Sequence, residues 1–173
     1  MTPATLQALH DTDCGPFAAA FVIRWFDRPI PASLQSQLDA TSGACSLHDL
    51  QEWIADAGLT ASATSMGPED LFAIATPTIL HLESSEQPED APGHFVVFLG
   101  PMDGTSYSRV LDLTNPQLTA GGFVENELLM EAWSGYAVIT SAGRAVIEPW
   151  IALIGIAVLT ISGFMTGRLA SRR

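Results

Sequence analysis

The sequence predicts an α+β domain, with N-terminal helices packed on an antiparallel sheet, followed by one C-terminal transmembrane helix. Three observations carry this expectation. The first seventy or so residues hold helix-start signals and helical apolar spacing, the stretch from Thr78 to Thr140 holds short apolar runs separated by turn residues, and no residue from Pro149 to Gly167 is charged.

The first helix is expected from Asp13-Cys14-Gly15-Pro16 onward through FAAAFVIRWF. An acid just before the start and a proline in the first turn are initiation signals, and the run that follows has too few charges to face water. It reads as a buried helix with Cys14 at its positive end. The stretch Asp27 to Pro31 breaks it, and Pro31 to Ala40 reads as a short amphipathic helix. Ser46, followed three residues later by Asp49, has the form of a capping box. Leu50, Trp53, Ile54 and Ala57 make one apolar face, and Gly58 supplies the stop. Gly67 to Leu71 opens another short helix.

The period then changes. Thr78 to Leu82 reads as a strand, Glu83 to Gly93 as an exposed loop, and His94 to Leu99 as a near-continuous apolar strand of a sheet covered on both faces. Asp103-Gly104 makes a turn, after which Tyr107 to Leu113 returns as a third strand. A helix near Glu125 to Trp133 and a last strand, Tyr136 to Thr140, complete the domain, which spans residues 1–144.

Residues 145–173 form a second region. The nineteen residues Pro149 to Gly167 make about 28 Å of helix, close to the roughly 30 Å hydrocarbon core of a bilayer. Trp150 suits one interface, and Arg168, Arg172 and Arg173 suit anionic headgroups at the other. The arginines place the C-terminus on the cytoplasmic side. The N-terminal MTPATLQALHDTD lacks the features of a signal peptide, which instead favours a cytoplasmic domain, and that is the expectation adopted.

Charge excludes one class of partner. The 173 residues include 7 basic and 19 acidic side chains, a net charge of −12, so phosphate binding to nucleic acid lacks the clustered cations it needs. Two cysteines, Cys14 and Cys45, are too few for a disulfide framework and read as reduced thiols. Cys45 and His48 have a zinc-ligand spacing, but 2 cysteines and 4 histidines in the whole chain do not promise a closed tetrahedral site. Neither a metal nor a cofactor is expected, and Trp53 and Trp133 read as core aromatics.

Chemistry is expected at Cys14. A thiol at a helix N-terminus has its thiolate stabilised by the dipole and by free backbone N–H groups, and those groups can also hold an oxyanion. A base is needed, and His94 follows Gly93 at the start of an apolar strand, where its ring can project from the sheet edge. The base needs an orienting group. Asp112, at the end of the neighbouring strand, and Asn115, just beyond it, are the two candidates.

Cysteine, histidine, then Asp or Asn, on helix, strand and neighbouring strand, is the order of papain-like proteases. The residues resemble one such family, the C39 or double-glycine peptidases, also called bacteriocin-processing peptidases. The resemblance rests on Asp13-Cys14-Gly15-Pro16, Ser46-Leu47 with Leu50 and Gly58-Leu59, Pro77 to His81, His94-Phe95-Val96-Val97, Val110-Leu111-Asp112, and Glu127 to Gly135. It implies a papain-like fold, a peptide substrate with a Gly-Gly leader, and the company of an exporter or other membrane subunits. By the same resemblance Cys14 is the nucleophile, His94 the general base, Asp112 the orienting acid and Gln7 the oxyanion donor.

The chain departs from the family pattern in three places. Leu113 follows Asp112 where the family has proline, and Asn115-Pro116 offers another counterpart. Ala8 stands six residues before Cys14, where the family has glutamine, with Gln7 one step further away. One membrane segment without a P-loop is not a transporter. Two functions are therefore open: a membrane-anchored cysteine peptidase, favoured by Cys14 and His94, or an inactive peptidase-like binding module or accessory subunit, favoured by the contexts of Gln7 and Asp112.

Overall fold

The protein is known here as a computed structural model, which describes residues 14–40, 45–83, 93–112, 118 and 121–142. The chain divides after Ala142 into two units, and all the described residues belong to the first.

Helix α1, Cys14–Trp25, buries Ala18, Ala19, Val22 and Ile23 while Phe17 and Trp25 stay exposed. It stops at Asp27, whose φ of 54° is left-handed. That turn lets the amides of Asp27 and Arg28 donate back to the carbonyls of Arg24 and Ile23, at 3.0 and 3.1 Å. Helix α2, Ala32–Asp39, buries Leu34 alone. Helix α3, Leu47–Asp56, begins with the expected capping box. The Asp49 amide donates to Ser46 Oγ at 3.2 Å, and the Ser46 amide donates to Asp49 Oδ2 at 2.7 Å. The Ser46 amide foremost, and then the Ser46 hydroxyl, which also donates to Asp49 Oδ2 at 2.7 Å, hold the Asp49 carboxyl below its ordinary range. Helix α4, Pro68–Phe72, buries Leu71.

Six strands form one antiparallel sheet in the order β1-β6-β2-β3-β4-β5. They are β1 (Thr60–Ser65), β2 (Thr78–Leu82), β3 (His94–Pro101), β4 (Tyr107–Leu111), β5 (Gly122–Glu125) and β6 (Trp133–Ser141), with helix α5 (Asn126–Ala132) between the last two. Strand β3 is apolar from Phe95 to Leu99, in keeping with cover on both of its faces. Phe95 and Val97 join α1 and α3 in one core cluster, whereas Val96 and Phe98 join Leu71 and Leu129 in a second. Ile23, Leu34, Leu50 and Ile54 are wholly buried, and each contributes about 1.5–3 kcal/mol of transfer free energy.

Several expectations change in detail. β1 and β5 were not expected. β1, with the sequence TASATS, lies at a sheet edge and has no buried residue, and it lacks the apolar alternation that marks a strand. β4 ends at Leu111, two residues short of Leu113, which lies outside the described residues. β6 begins at Trp133, not Tyr136, because the backbone turns directly from α5 into the strand. Among the described residues no helix is long and apolar enough to cross a membrane, and the apolar segment Pro149 to Gly167 lies outside them.

Candidate active site

Helix α1 packs on β3, so its first residue, Cys14, meets the first residues of that strand. The ladder between β3 and β4 begins at Val97 and Leu111, which leaves the start of β3 without a β4 partner among the described residues. The helix N-terminus takes that place. The Phe95 amide, which a neighbouring strand would otherwise engage, donates to Cys14 Sγ at 3.4 Å. The close approach requires Gly15. A Cβ there would overlap Cys45 Sγ and would stand 3.2 Å from Phe95 and 3.4 Å from Leu50.

His94 opens β3. β3 is an interior strand, and the ring is accessible because His94 is its first residue. Its Nε2 lies 2.9 Å from Asp112 Oδ2, and the Cys14 sulfur is near enough to act on the ring as well. Burial by itself would lower the His94 imidazole. The bonds to Asp112 and Cys14, with their negative charges, overcome it and raise His94 to about 10. The imidazolium therefore persists through neutral pH. Asp112, 8% exposed, stands one residue past β4, its amide donating to the Leu118 carbonyl at 3.3 Å.

The structure brings Cys14, His94 and Asp112 together. Gln7 and Asn115 lie outside the described residues. Cys14 and Cys45 are both free thiols. Cys45 is held neutral, pushed up to about 12 by burial first and then by the negative charges of Cys14 and Asp49, so it is not a second nucleophile. Among the described residues no group of three or more His, Cys, Asp or Glu side chains is placed to hold a metal ion.

Two neighbours escaped the sequence reading. His81 and Ser134, from β2 and β6, stand beside the catalytic strand: His81 Nδ1 lies 2.9 Å from Ser134 Oγ, and the His81 ring packs on Phe95 with centroids 5.2 Å apart. No local pattern announces such a pair. It depends on the register shift of β2 against β6 between Leu80 and Leu82.

A helix-borne cysteine, a strand-borne histidine and an aspartate just past the end of the next strand, in an α+β domain, define the class of papain-like cysteine peptidase domains. The family model for peptidase C39 matches residues 3–144, and the chain belongs to that family of cysteine peptidases. Solved structures agree on the fold. The double glycine motif protease from an AMS/PCAT transporter, solved in complex with the leader peptide, is 21% identical, with a TM-score of 0.57 over 73% of this chain and 82% of that one. The peptidase domain of Streptococcus ComA, a bi-functional ABC transporter of a quorum sensing pathway, is 17% identical, with a TM-score of 0.60 over 75% and 91%. The N-terminal peptidase C39 like domain of the toxin secretion ATP-binding protein from Vibrio parahaemolyticus is 17% identical, with a TM-score of 0.57 over 75% and 96%. No curated protein matches.

Proposed function

We propose that the chain is a cysteine peptidase of the double-glycine type, cutting leader peptides after a Gly-Gly pair in the company of an exporter. The observation that supports it most is the His94 imidazole, 2.9 Å from Asp112 and acted on by the nearby Cys14 sulfur at the start of α1. The Cys14 thiolate attacks the peptide carbonyl carbon, and the carbonyl oxygen becomes an oxyanion within reach of the free amides at the start of α1. The His94 imidazolium gives its proton to the leaving amine, and a thioester remains. Neutral His94 then takes a proton from water, which adds to the thioester carbon and releases the peptide acid and Cys14. Asp112 keeps the ring oriented and its positive form stabilised. Gln7 supplies a further oxyanion donor in this reading, and Asn115 leaves the third position to Asp112.

A second reading, a peptide-binding module without hydrolysis, has its support in the 6% exposure of Cys14. Incubation with a synthetic peptide carrying a Gly-Gly leader separates the two. Cleavage after the second glycine, lost in Cys14→Ala, is expected. Binding of the peptide by both proteins with no cleavage by either would overturn the enzyme reading.

The apolar segment Pro149 to Gly167 anchors the domain to a membrane, with the peptidase domain on the cytoplasmic side. Extraction of the full chain from membranes by detergent but not by high salt is expected, and release of the full chain by salt alone would refute the anchor.

A further inference from the structure

His81 belongs to none of the three roles above, yet it is tied to the reacting sulfur through one residue. It pairs with Phe95 across β2 and β3, and its ring packs on the Phe95 ring at 5.2 Å and 53°. Phe95 is the residue whose amide donates to Cys14 Sγ. On its other side His81 is fixed by Ser134. The Ser134 hydroxyl donates to the His81 carbonyl at 2.9 Å, so its oxygen can only accept from the ring, and His81 Nδ1 must carry the proton at 2.9 Å. The third constraint is Gly93, where a Cβ would fall inside the His81 imidazole. A ring bound from β6, packed on β3 and closed in by the residue before His94 has one position available to it.

We propose that His81 is a positioning residue for the nucleophile: locked by Ser134 and Gly93, its ring braces Phe95 so that the Phe95 amide stays on Cys14 Sγ. The geometry favours an uncharged ring, because its Nε2 edge is closed in by Gly93 and a second cation would stand beside His94. Burial, foremost, and the charge of His94 do hold the His81 imidazole below its ordinary value, against the pull of Glu83. The inference rests on the peptidase reading only for its meaning, since its test follows the sulfur and not the cleavage of a peptide.

The test is the pH dependence of Cys14 alkylation by iodoacetamide, read by peptide mass spectrometry, with alkylation of Cys45 as the internal control for an intact fold. The groups that set this profile are His94 on β3, Asp112 behind it, Cys45 before α3, and His81 on β2 with Glu83 just past its end. Losing one hydrogen bond to a charged sulfur should slow Cys14 alkylation at neutral pH by about tenfold in His81→Ala and move the profile to higher pH. His81→Phe, which keeps the ring, should stay within about threefold of wild type, by the smaller cost of losing a neutral hydrogen bond. Gly93→Ala should slow alkylation as His81→Ala does, and the double variant should be no worse than His81→Ala alone. Should His81→Ala fail to fold, Ser134→Ala carries the test, with slower alkylation of Cys14 and unchanged alkylation of Cys45 expected. A folded His81→Ala, or in its stead Ser134→Ala, with the wild-type Cys14 profile overturns the proposal, as does His81→Phe falling as far as His81→Ala. Absence of peptide cleavage with the alkylation pattern as expected would count against the peptidase reading alone.

Discussion

His94 Nε2 and Asp112 Oδ2 stand 2.9 Å apart across the open end of the β3–β4 ladder. The pairing of these strands ends at Val97 and Leu111, so the two side chains meet where the backbone ladder has run out and helix α1 enters. The carboxylate thereby fixes the ring nitrogen that faces away from the sulfur, and with it the nitrogen that faces Cys14. The site is a consequence of where a sheet stops.

Asp112→Asn should therefore keep the fold but lower the rate of Gly-Gly leader cleavage by about 10²–10⁴-fold, because the amide offers the imidazolium no charge and can present the wrong atom to Nε2. Steady-state cleavage measured beside circular dichroism checks this. Wild-type rates from Asp112→Asn would remove the aspartate from the mechanism.

Stability should fall on the alkaline side. His94 is raised from 6.5 to about 10 in the folded protein, so its contribution is complete below about pH 6.5 and is lost as pH rises through about 10. Urea unfolding at pH 6 and pH 9.5 should give a lower midpoint at the higher pH, and the drop should shrink in His94→Gln. His81, lowered mainly by burial, works in the other direction, its contribution being lost as pH falls below the ordinary histidine value.

Gly15→Ala should destabilise the domain by about 1–3 kcal/mol, since the new methyl would overlap Cys45 Sγ and crowd Phe95 and Leu50. Removing the sulfur in Gly15→Ala/Cys45→Ala should recover part of that loss. A double-mutant cycle in urea measures the coupling, and strictly additive effects would contradict the packing described.

Ser46→Ala should cost about 1 kcal/mol, because it removes the acceptor of the Asp49 amide and one of the groups that hold the Asp49 carboxylate. Thermal unfolding should shift downward by about 3–4 °C.

Most helices and the central strands were legible from the sequence because their signals are local. The Asp13-Cys14-Gly15-Pro16 start, the Ser46 to Asp49 box and the unbroken HFVVFL run each act within a few residues. β1 and β5 were not, because edge strands are held by pairing with distant partners: TASATS is a strand only because β6 lies beside it in register from Thr60 to Ser65. In the site, Cys14 and His94 were identifiable from their positions at the start of a helix and of a strand. The choice between Asp112 and Asn115 was not legible, since it depends on which side chain reaches the ring, and Asp112 is the one seen on it.

The amino-acid sequence alone determined the place of Cys14 at a helix start and of His94 at a strand start, the acidic net charge, and the order of helix, strand and neighbouring strand. Only the tertiary structure decided that the Phe95 amide falls on Cys14 Sγ, that His81 is held between Ser134 and Gly93, and that Cys45 lies against Gly15. The physical reason is range. Helix caps and apolar periodicity are set by residues a few positions apart, whereas a contact across 81 positions, such as Cys14 with Phe95, exists only after long-range packing has placed the helix on the sheet.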